Sequence, residues 1–535
     1  MDEQLTGGPA LAPDPIGGNP AVRRLPFRRR VRASTVAVIA AVGLGVVLRL
    51  HSSSPLWLDE ALSVDIASRS WPHLLDGLRA DGSPPLYYLL LHGWIAVVGG
   101  SDDAVRALST LTSVGALPVA YLVGRRLAGS GGGRAALLLA ATNPFLVRYA
   151  TETRMYSLVV LLALTGVLVA LRAADRPTVG RLSSVGLIAG LLSLTHYWAL
   201  FLLAIAVVGL VMVGVVRRTQ RSATWRIAGA TVAGAVLFVP WLPTFLFQVA
   251  HTGTPWATPP GPADVAGAVD QWAGGLAGWS WLLGAALVAL TIVAVLPARW
   301  AGAFLPDTSP AAVPPALSRV RLLAGLAAGT LGLGLSVSAL LHSGFAVRYS
   351  APSAALIIVC GGVGLVRFSR RFGATVTAFV VLLGSGIAVH NARHDDRSQA
   401  GETARLLTAA GAGDLIVYCP DQLGPAVGHA LAEFGPIPST QVVYPTLGSP
   451  DLVDWVDYAA RNAAADPQAV AGRVNALAAG RIWLVTRGGY LTFGDQCEQL
   501  TAALAALRGA PELLQRADDT FGENADLLVF PATGS

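Results

Sequence analysis

Up to about residue 391 the chain is built from long apolar runs broken by short polar stretches, and beyond it the runs shorten and polar positions take over. Eleven runs, at 33–50, 104–127, 134–149, 155–173, 182–196, 197–216, 225–247, 278–297, 319–341, 346–366 and 373–391, reach or approach the ~20 residues that a helix needs to cross a hydrocarbon core. Each predicts a transmembrane helix. A further apolar run at 84–99 (PPLYYLLLHGWIAVVG) is shorter and carries His92. If it crossed, every later loop would change sides. Arginine decides the matter. With 84–99 left on the surface, the arginine groups at 23–32, 125–134, 172–181, 217–226, 299–321 and 367–371 all face one side, which the positive-inside rule makes the cytoplasm. The run at 84–99 is therefore read as an amphipathic helix at the outer surface. The loop 51–103 then lies outside the cytoplasm, with two interfacial helices near 58–71 and 84–99.

These patterns predict a mainly α, polytopic membrane protein with a small extracytoplasmic α/β domain at its C-terminus. Three parts are expected: a disordered cytoplasmic N-terminus at 1–32, a transmembrane domain at 33–391, and the α/β domain at 392–535. In the last, DLIVYCP (414–420) and RIWLVT (481–486) read as buried strands, with helical patterns near 400–411, 425–434, 467–479 and 496–508. The first apolar run reads as a retained span rather than a cleaved signal, because Arg49 and His51 close it where small residues would mark a cleavage site. The tail has no nucleotide-binding glycine motif. Nor does the chain repeat itself as transporters built from two related halves do.

Composition narrows the class further. At 53% hydrophobic and 13% charged residues, the chain needs lipid as part of its solvent. Its net charge of +6 comes from arginine alone, since lysine is absent, and nothing in the pattern calls for a nucleic-acid partner. Cys360 lies within an apolar run, whereas Cys419 and Cys497 both fall in the tail, where an oxidising compartment would let them pair. The sequence leaves that pairing open. The nine histidines are scattered without a zinc-ligand spacing, so no resident metal site is expected.

Ionisable residues beside hydrocarbon are costly and mark function by default. On the predicted outer side they are Asp59, Glu60, Asp65, Asp81, His92, Arg106, Glu152, Arg154, His196, His251 and Arg348, joined by Tyr156, Tyr197 and Tyr349. Distant segments thus bring polar groups to one depth. Asp59 and Glu60 are adjacent, so on a helix only one faces a given site: one is a candidate proton-abstracting base, and the other caps or orients. Capping by both is the purely structural alternative. Asp81 precedes Pro84-Pro85 and is either a turn residue or a hydroxyl-binding group. Glu152 and Arg154 either form a surface salt bridge or, with the flanking tyrosines Tyr149 and Tyr156, bind a sugar ring. Arg106 and Arg348 have no acidic sequence neighbour; each either snorkels to the interface or clamps a lipid-borne phosphate bidentately. His196-Tyr197 interrupts an apolar stretch, as a polar turn or as a partner for a leaving phosphate.

At these residues the sequence resembles the GT-C class of membrane glycosyltransferases, in the branch of the protein O-mannosyltransferases and the bacterial aminoarabinose transferase for lipid A. The matching elements are WLDEA (57–61), D-x-x-PPLYY (81–88), Arg106 in VRALST, LVGRR (122–126) and RY-x-x-P (348–352). They cover the first 130 residues well, the later spans loosely and the tail hardly at all. The resemblance implies inverting transfer of a hexose or pentose from a polyprenyl-phosphate donor to an acceptor at the outer face of the plasma membrane. It carries an acidic base onto Asp59, with Glu60 beside it, and donor-phosphate contacts onto Arg106 and Arg348. Glu152 stands near a turn where relatives often carry Asp. The implied partners are the polyprenyl-phosphate sugar, a cell-envelope glycan, glycolipid or protein acceptor, and membrane lipids. No cofactor is required, although Asp59, Glu60 and Glu152 offer hard oxygen ligands for one divalent cation. Two other classes compete. A transporter or flippase of a lipid-linked glycan would use the same charges without chemistry, but would place paired charges deep in the spans. A catalytically dead scaffold would have no reason to keep Asp59 with Arg106.

Overall fold

The computed structural model describes residues 33–297 and 317–533. The expected disordered N-terminus at 1–32 and part of the arginine group at 299–321 lie outside the described residues. Each of the eleven apolar runs is helical among the described residues. Seven helices are long and apolar enough to cross a membrane, and Thr35–Val47, Leu86–Val98, Val179–Ser193 and Trp279–Val295 are shorter apolar helices.

The runs at 104–127 and 134–149 begin as one 41-residue helix, Asp102–Thr142, that folds back on itself. Ala128 and Gly129 leave helical geometry there, with Gly129 at φ +67°, a conformation that glycine adopts without steric cost. The two arms then touch through small residues. A Cβ on Gly124 would lie 2.6 Å from the Gly132 carbonyl oxygen, so the close approach requires glycine. Helix Ala33–Val47 is fastened to this hairpin by the buried Arg49, whose guanidinium donates to the carbonyls of Gly45, Ala140 and Ala141 and to Ser113. Helix Ala351–Leu365 runs through the middle of the bundle, packed against Asp102–Thr142 and Trp279–Val295.

The loop 51–103 differs from expectation. It holds three helices, Leu58–Ala67, Trp71–Asp81 and Leu86–Val98, not two. Ser70 precedes Trp71-Pro72, and proline in a first turn starts a new helix rather than extending the old one.

The tail folds as a five-stranded sheet with helices on both faces. Its strands are β1 (Leu415–Cys419), β2 (Thr440–Val443), β3 (Ile482–Thr486), β4 (Glu512–Gln515) and β5 (Asp526–Phe530), in the order β2-β1-β3-β5-β4. β2, β1 and β3 are parallel, and β5 and β4 complete the sheet antiparallel. β1 and β3 are buried on both faces, which explains their unbroken apolar runs. Cys419 at the end of β1 is disulfide-bonded to Cys497, while Cys360 is free and buried.

This sheet unit sits on the end of the bundle that carries loop 51–103. Leu62 of helix Leu58–Ala67 joins the apolar core of the sheet. Polar ties surround that contact. His429 meets Asp102 at 3.0 Å, the Trp455 N–H donates to the Ala80 carbonyl, and the Asp457 N–H donates to His251.

Candidate active site

Helix Leu58–Ala67 begins directly after Trp57, which is in extended conformation, so Asp59 and Glu60 both occupy its first turn, where the helix dipole favours acids. Successive residues point about 100° apart around a helix. Asp59 consequently faces outward and Glu60 inward.

Glu60 is completely buried. Its carboxylate accepts both Nε and Nη2 of Arg106 at 2.9 Å, the Thr153 N–H at 2.9 Å, and Nη1 of Arg397 at 3.4 Å. Burial raises the Glu60 carboxyl, but the Arg106 and Arg397 guanidiniums outweigh it and hold the group below its ordinary range. Arg106 also donates from Nη1 to the Ser54 carbonyl and from Nη2 to the Pro55 carbonyl. Two expectations are thereby corrected. Glu60 is not open to substrate, and Arg106 is buried and committed to Glu60 and to the chain before it rather than facing either cavity; together they form a buried ion pair that pins loop 51–103 to the bundle.

Asp59 is different. Its side chain stays 16% exposed, and Oδ2 lies 3.1 Å from Nη2 of Arg348 and 4.0 Å from Nε of Arg154. Arg154 does not pair with Glu152 as a surface bridge would require. Its Nη1 donates instead to the Asp59 carbonyl, Ser63 Oγ and Tyr88 OH. The Tyr88 hydroxyl in turn donates to Asp81 at 2.9 Å. Asp81 therefore acts at one remove, orienting Arg154 through Tyr88. Arg348 is clasped by the Trp57, Trp256 and Tyr349 rings, with its carbon Cζ 5.2, 5.6 and 5.9 Å from their centroids.

Two cavities meet at Trp57 and Arg348. The first, about 490 Å³, lies between Asp59 and the sheet unit and is bounded by Trp256, Gln422, Trp455, Arg487–Thr492 and Gly522–Asn524. The second, about 440 Å³, is bounded by Arg148, Tyr149, Glu152, Asn391 and Arg397. Glu152 pairs with Arg148 at 2.8 Å, and its Oε1 is buried without a hydrogen bond. Burial outweighs the pull of Arg148 and Arg397 and raises this carboxyl above its ordinary range.

The remaining expected residues divide. Tyr156 stacks edge-on with Tyr149 and lies beside His196, which packs against Tyr349 5.2 Å away. His196 Nδ1 accepts the Trp198 N–H, which leaves Nε2 to carry the ring proton. Tyr197 is a further correction. It turns away to bond Gln248 and Trp241 and packs on Phe245, so it does not join its neighbour at Asp59. The three acids proposed as cation ligands are not gathered either, since Asp59, Glu60 and Glu152 each face their own guanidinium. Among the described residues, the one group of three ligating side chains within reach of a single ion is Asp102, His429 and Glu433, none of which lines either cavity.

Sequence reasoning missed Arg148, Trp256, Arg397 and Glu523. Arg148 carries a usable signal, standing four residues before Glu152, although the helix ends at Arg148 and Glu152 is reached through a single tight turn. Arg397, in HDDRSQ, reads like any solvated linker arginine, yet it is buried against Glu60 and Thr151.

The fold that carries this site has known counterparts. Residues 82–243 match the family model described as dolichyl-phosphate-mannose-protein mannosyltransferase. No curated protein matches the chain in sequence. Among solved structures, ArnT from Cupriavidus metallidurans in the apo state is similar with a TM-score of 0.62 at 14% identity, over 93% of this chain and 98% of that one. The same protein bound to undecaprenyl phosphate gives 0.60 at 13%, with the same coverage. The Archaeoglobus fulgidus oligosaccharyltransferase in complex with Zn and sulfate gives 0.53 at 11%, over 84% of this chain and 67% of that one. The fold is thus that of the GT-C membrane glycosyltransferases. The family-model match covers residues 82–243, within the membrane-embedded part of that fold.

Proposed function

We propose that the protein transfers a sugar, with inversion, from a polyprenyl-phosphate donor to an acceptor hydroxyl at the outer face of the plasma membrane. The observation that carries this reading is the Asp59–Arg348 ion pair at the junction of two cavities, which sets a base and a phosphate-binding cation side by side. The donor phosphate sits in the second cavity, against Arg348 and Arg148, whose side chains are 22% and 32% exposed. These replace Arg106 in the clamp. The acceptor enters the first cavity and meets Asp59.

In the reaction, Asp59 Oδ2 takes the proton of the acceptor hydroxyl as its oxygen attacks the anomeric carbon. The bond from that carbon to the phosphate oxygen breaks on the opposite face, and its electron pair leaves with the lipid phosphate. Arg348 and Arg148 balance the charge that develops there. Phosphate also competes with Asp59 for Arg348, which loosens the resting ion pair and frees the carboxylate to meet the acceptor when donor is bound. His196 and Tyr349 hold Arg348 and the sugar ring in place through packing. The chain's own residues suffice for this chemistry. A divalent cation shared by Asp59, Glu60 and Glu152 would have to displace three guanidiniums.

Two features support the orientation. The arginine bias puts the opposite end of the bundle in the cytoplasm, and the Cys419–Cys497 disulfide suits an oxidising compartment. The test of function is transfer from labelled polyprenyl-phosphate sugars in membranes containing wild type or Asp59→Asn. Turnover should vanish in the variant while donor binding persists; transfer at the wild-type rate would remove Asp59 from the mechanism.

A further inference from the structure

The first cavity owes one wall to the bundle and the other to the sheet unit. The sheet's register fixes which residues form that second wall. β3 and β5 pair antiparallel with Thr486 opposite Asp526, so the loop leaving β3 and the loop entering β5 emerge side by side. β1 is parallel to β3 with Cys419 opposite Thr486, which brings the segment after β1 to the same end. Gln422, Arg487–Thr492 and Gly522–Asn524 all line the cavity from there. This is the carboxyl end of the parallel strands, where sheets with helices on both faces commonly bind ligands. Here that end is aimed at Asp59.

Glu523 makes the closest approach. Its Oε2 accepts the N–H of Leu58, the residue before Asp59, at 3.2 Å, while its Oε1 is buried without a hydrogen bond. A buried oxygen left unpaired is costly unless a ligand satisfies it. Burial, with a smaller contribution from Asp59, pushes the Glu523 carboxyl up to about 8. Burial thus favours the neutral form of this carboxyl, which both donates and accepts, over the pull of its bonds from Ser398 and Leu58. Around it stand the amide side chains of Gln422 and Asn524 and the indoles of Trp57, Trp256 and Trp455.

We propose that this cavity is the acceptor site and that the acceptor is a saccharide, with Glu523, Asn524 and Gln422 binding its hydroxyls and the tryptophans flanking its ring. The inference rests on the transferase reading above and extends it to the acceptor's chemical class. Amphipathic rings beside uncharged donors and acceptors match a sugar, which presents apolar C–H faces and a rim of hydroxyls. An extended peptide commonly binds by adding to a sheet edge. The edge strands here are β2 and β4, and neither lines the cavity. Glu523 is thus a specificity residue for acceptor, leaving proton abstraction to Asp59.

The test uses membranes carrying the full chain and labelled polyprenyl-phosphate sugar, and asks where the label goes. Protease-resistant label that glycosidase or mild acid releases as oligosaccharide supports the inference; label lost on protease treatment overturns it. Glu523→Ala and Asn524→Ala should each lower the transfer rate at saturating donor about 10-fold or more without changing the donor KM. Wild-type transfer rates in both alanine variants, or a rise in donor KM instead, would equally overturn it. Thermal unfolding in detergent identifies any variant that fails only by misfolding, for which Asn524→Ala, at a half-buried position, remains decisive. Failure of the reading beneath is distinguishable, because it shows as Asp59-independent transfer whatever the acceptor.

Discussion

Asp59 and Glu60 are adjacent in sequence, yet they belong to two different regions of the molecule. Around Glu60, Arg106 and Arg397 form a buried network in which most donors are spent on protein groups, with Arg397 alone touching the second cavity. Around Asp59, Arg348 and Arg154 form an open one that borders both cavities. The chemistry of the groups is the same in both. What differs is whether the partners are already committed to protein groups. A closed network fixes geometry, since its charges have nowhere to turn, whereas an open one can exchange a protein partner for a substrate group. The closed pair holds the first turn of helix Leu58–Ala67 against the bundle and thereby aims Asp59.

The largest effect that tests this contrast is on turnover. Removing a general base costs about 10²- to 10⁴-fold, so Asp59→Asn should abolish measurable transfer while its thermal unfolding matches wild type. Next comes stability. Glu60→Ala leaves Arg106 buried without a carboxylate, while Arg397 keeps only the Asp395 carboxylate, at a cost of about 3–5 kcal/mol, and should lower folded yield and Tm sharply. Arg106→Ala should do the same through Glu60. If Arg106→Ala instead folds normally and only weakens donor binding, the division into a closed and an open network fails. Smaller again is Arg348→Ala, which removes one charge-assisted contact of about 1.5–3 kcal/mol. It should raise the donor KM about 10- to 100-fold, and an unchanged donor KM would take Arg348 out of the clamp.

The same contrast explains how much of the molecule was legible beforehand. Transmembrane runs are legible because lipid demands unbroken apolar sequence, and β1 and β3 because burial on both faces does the same. β4 was not, since three of its four residues are exposed and nothing distinguishes it from a loop. Asp59 and Arg348 could be singled out in the sequence as ionisable groups near the ends of apolar runs, and the fold brings them within 3.1 Å of each other. Arg106 looked equally isolated, but its partner Glu60 lies 46 residues away, and only the fold reveals the pair. Arg397 and Glu523 were missed for a related reason: polar loops give no sign of which side chains the docking of two units will bury.

The two regions should also titrate in opposite senses. Arginines hold Glu60 and Asp395 below their ordinary values, so their stabilisation is present above that range and is lost as pH falls through the lowered values. Burial raises Asp421 to about 7 and Glu523 to about 8 in the sheet unit, and the stability that goes with their neutral forms is lost as pH rises through those values. Glu152 shares the second sense. Thermal unfolding in detergent should therefore be most stable near the ordinary carboxyl range, at about pH 4–5, and weaken on both sides. Glu523→Gln with Asp421→Asn should shrink the alkaline decline to the share that Glu152 contributes, because amides keep the neutral hydrogen bonds and cannot ionise. An alkaline decline of undiminished size in the double variant would mean that the sheet unit's docking does not depend on these carboxyls.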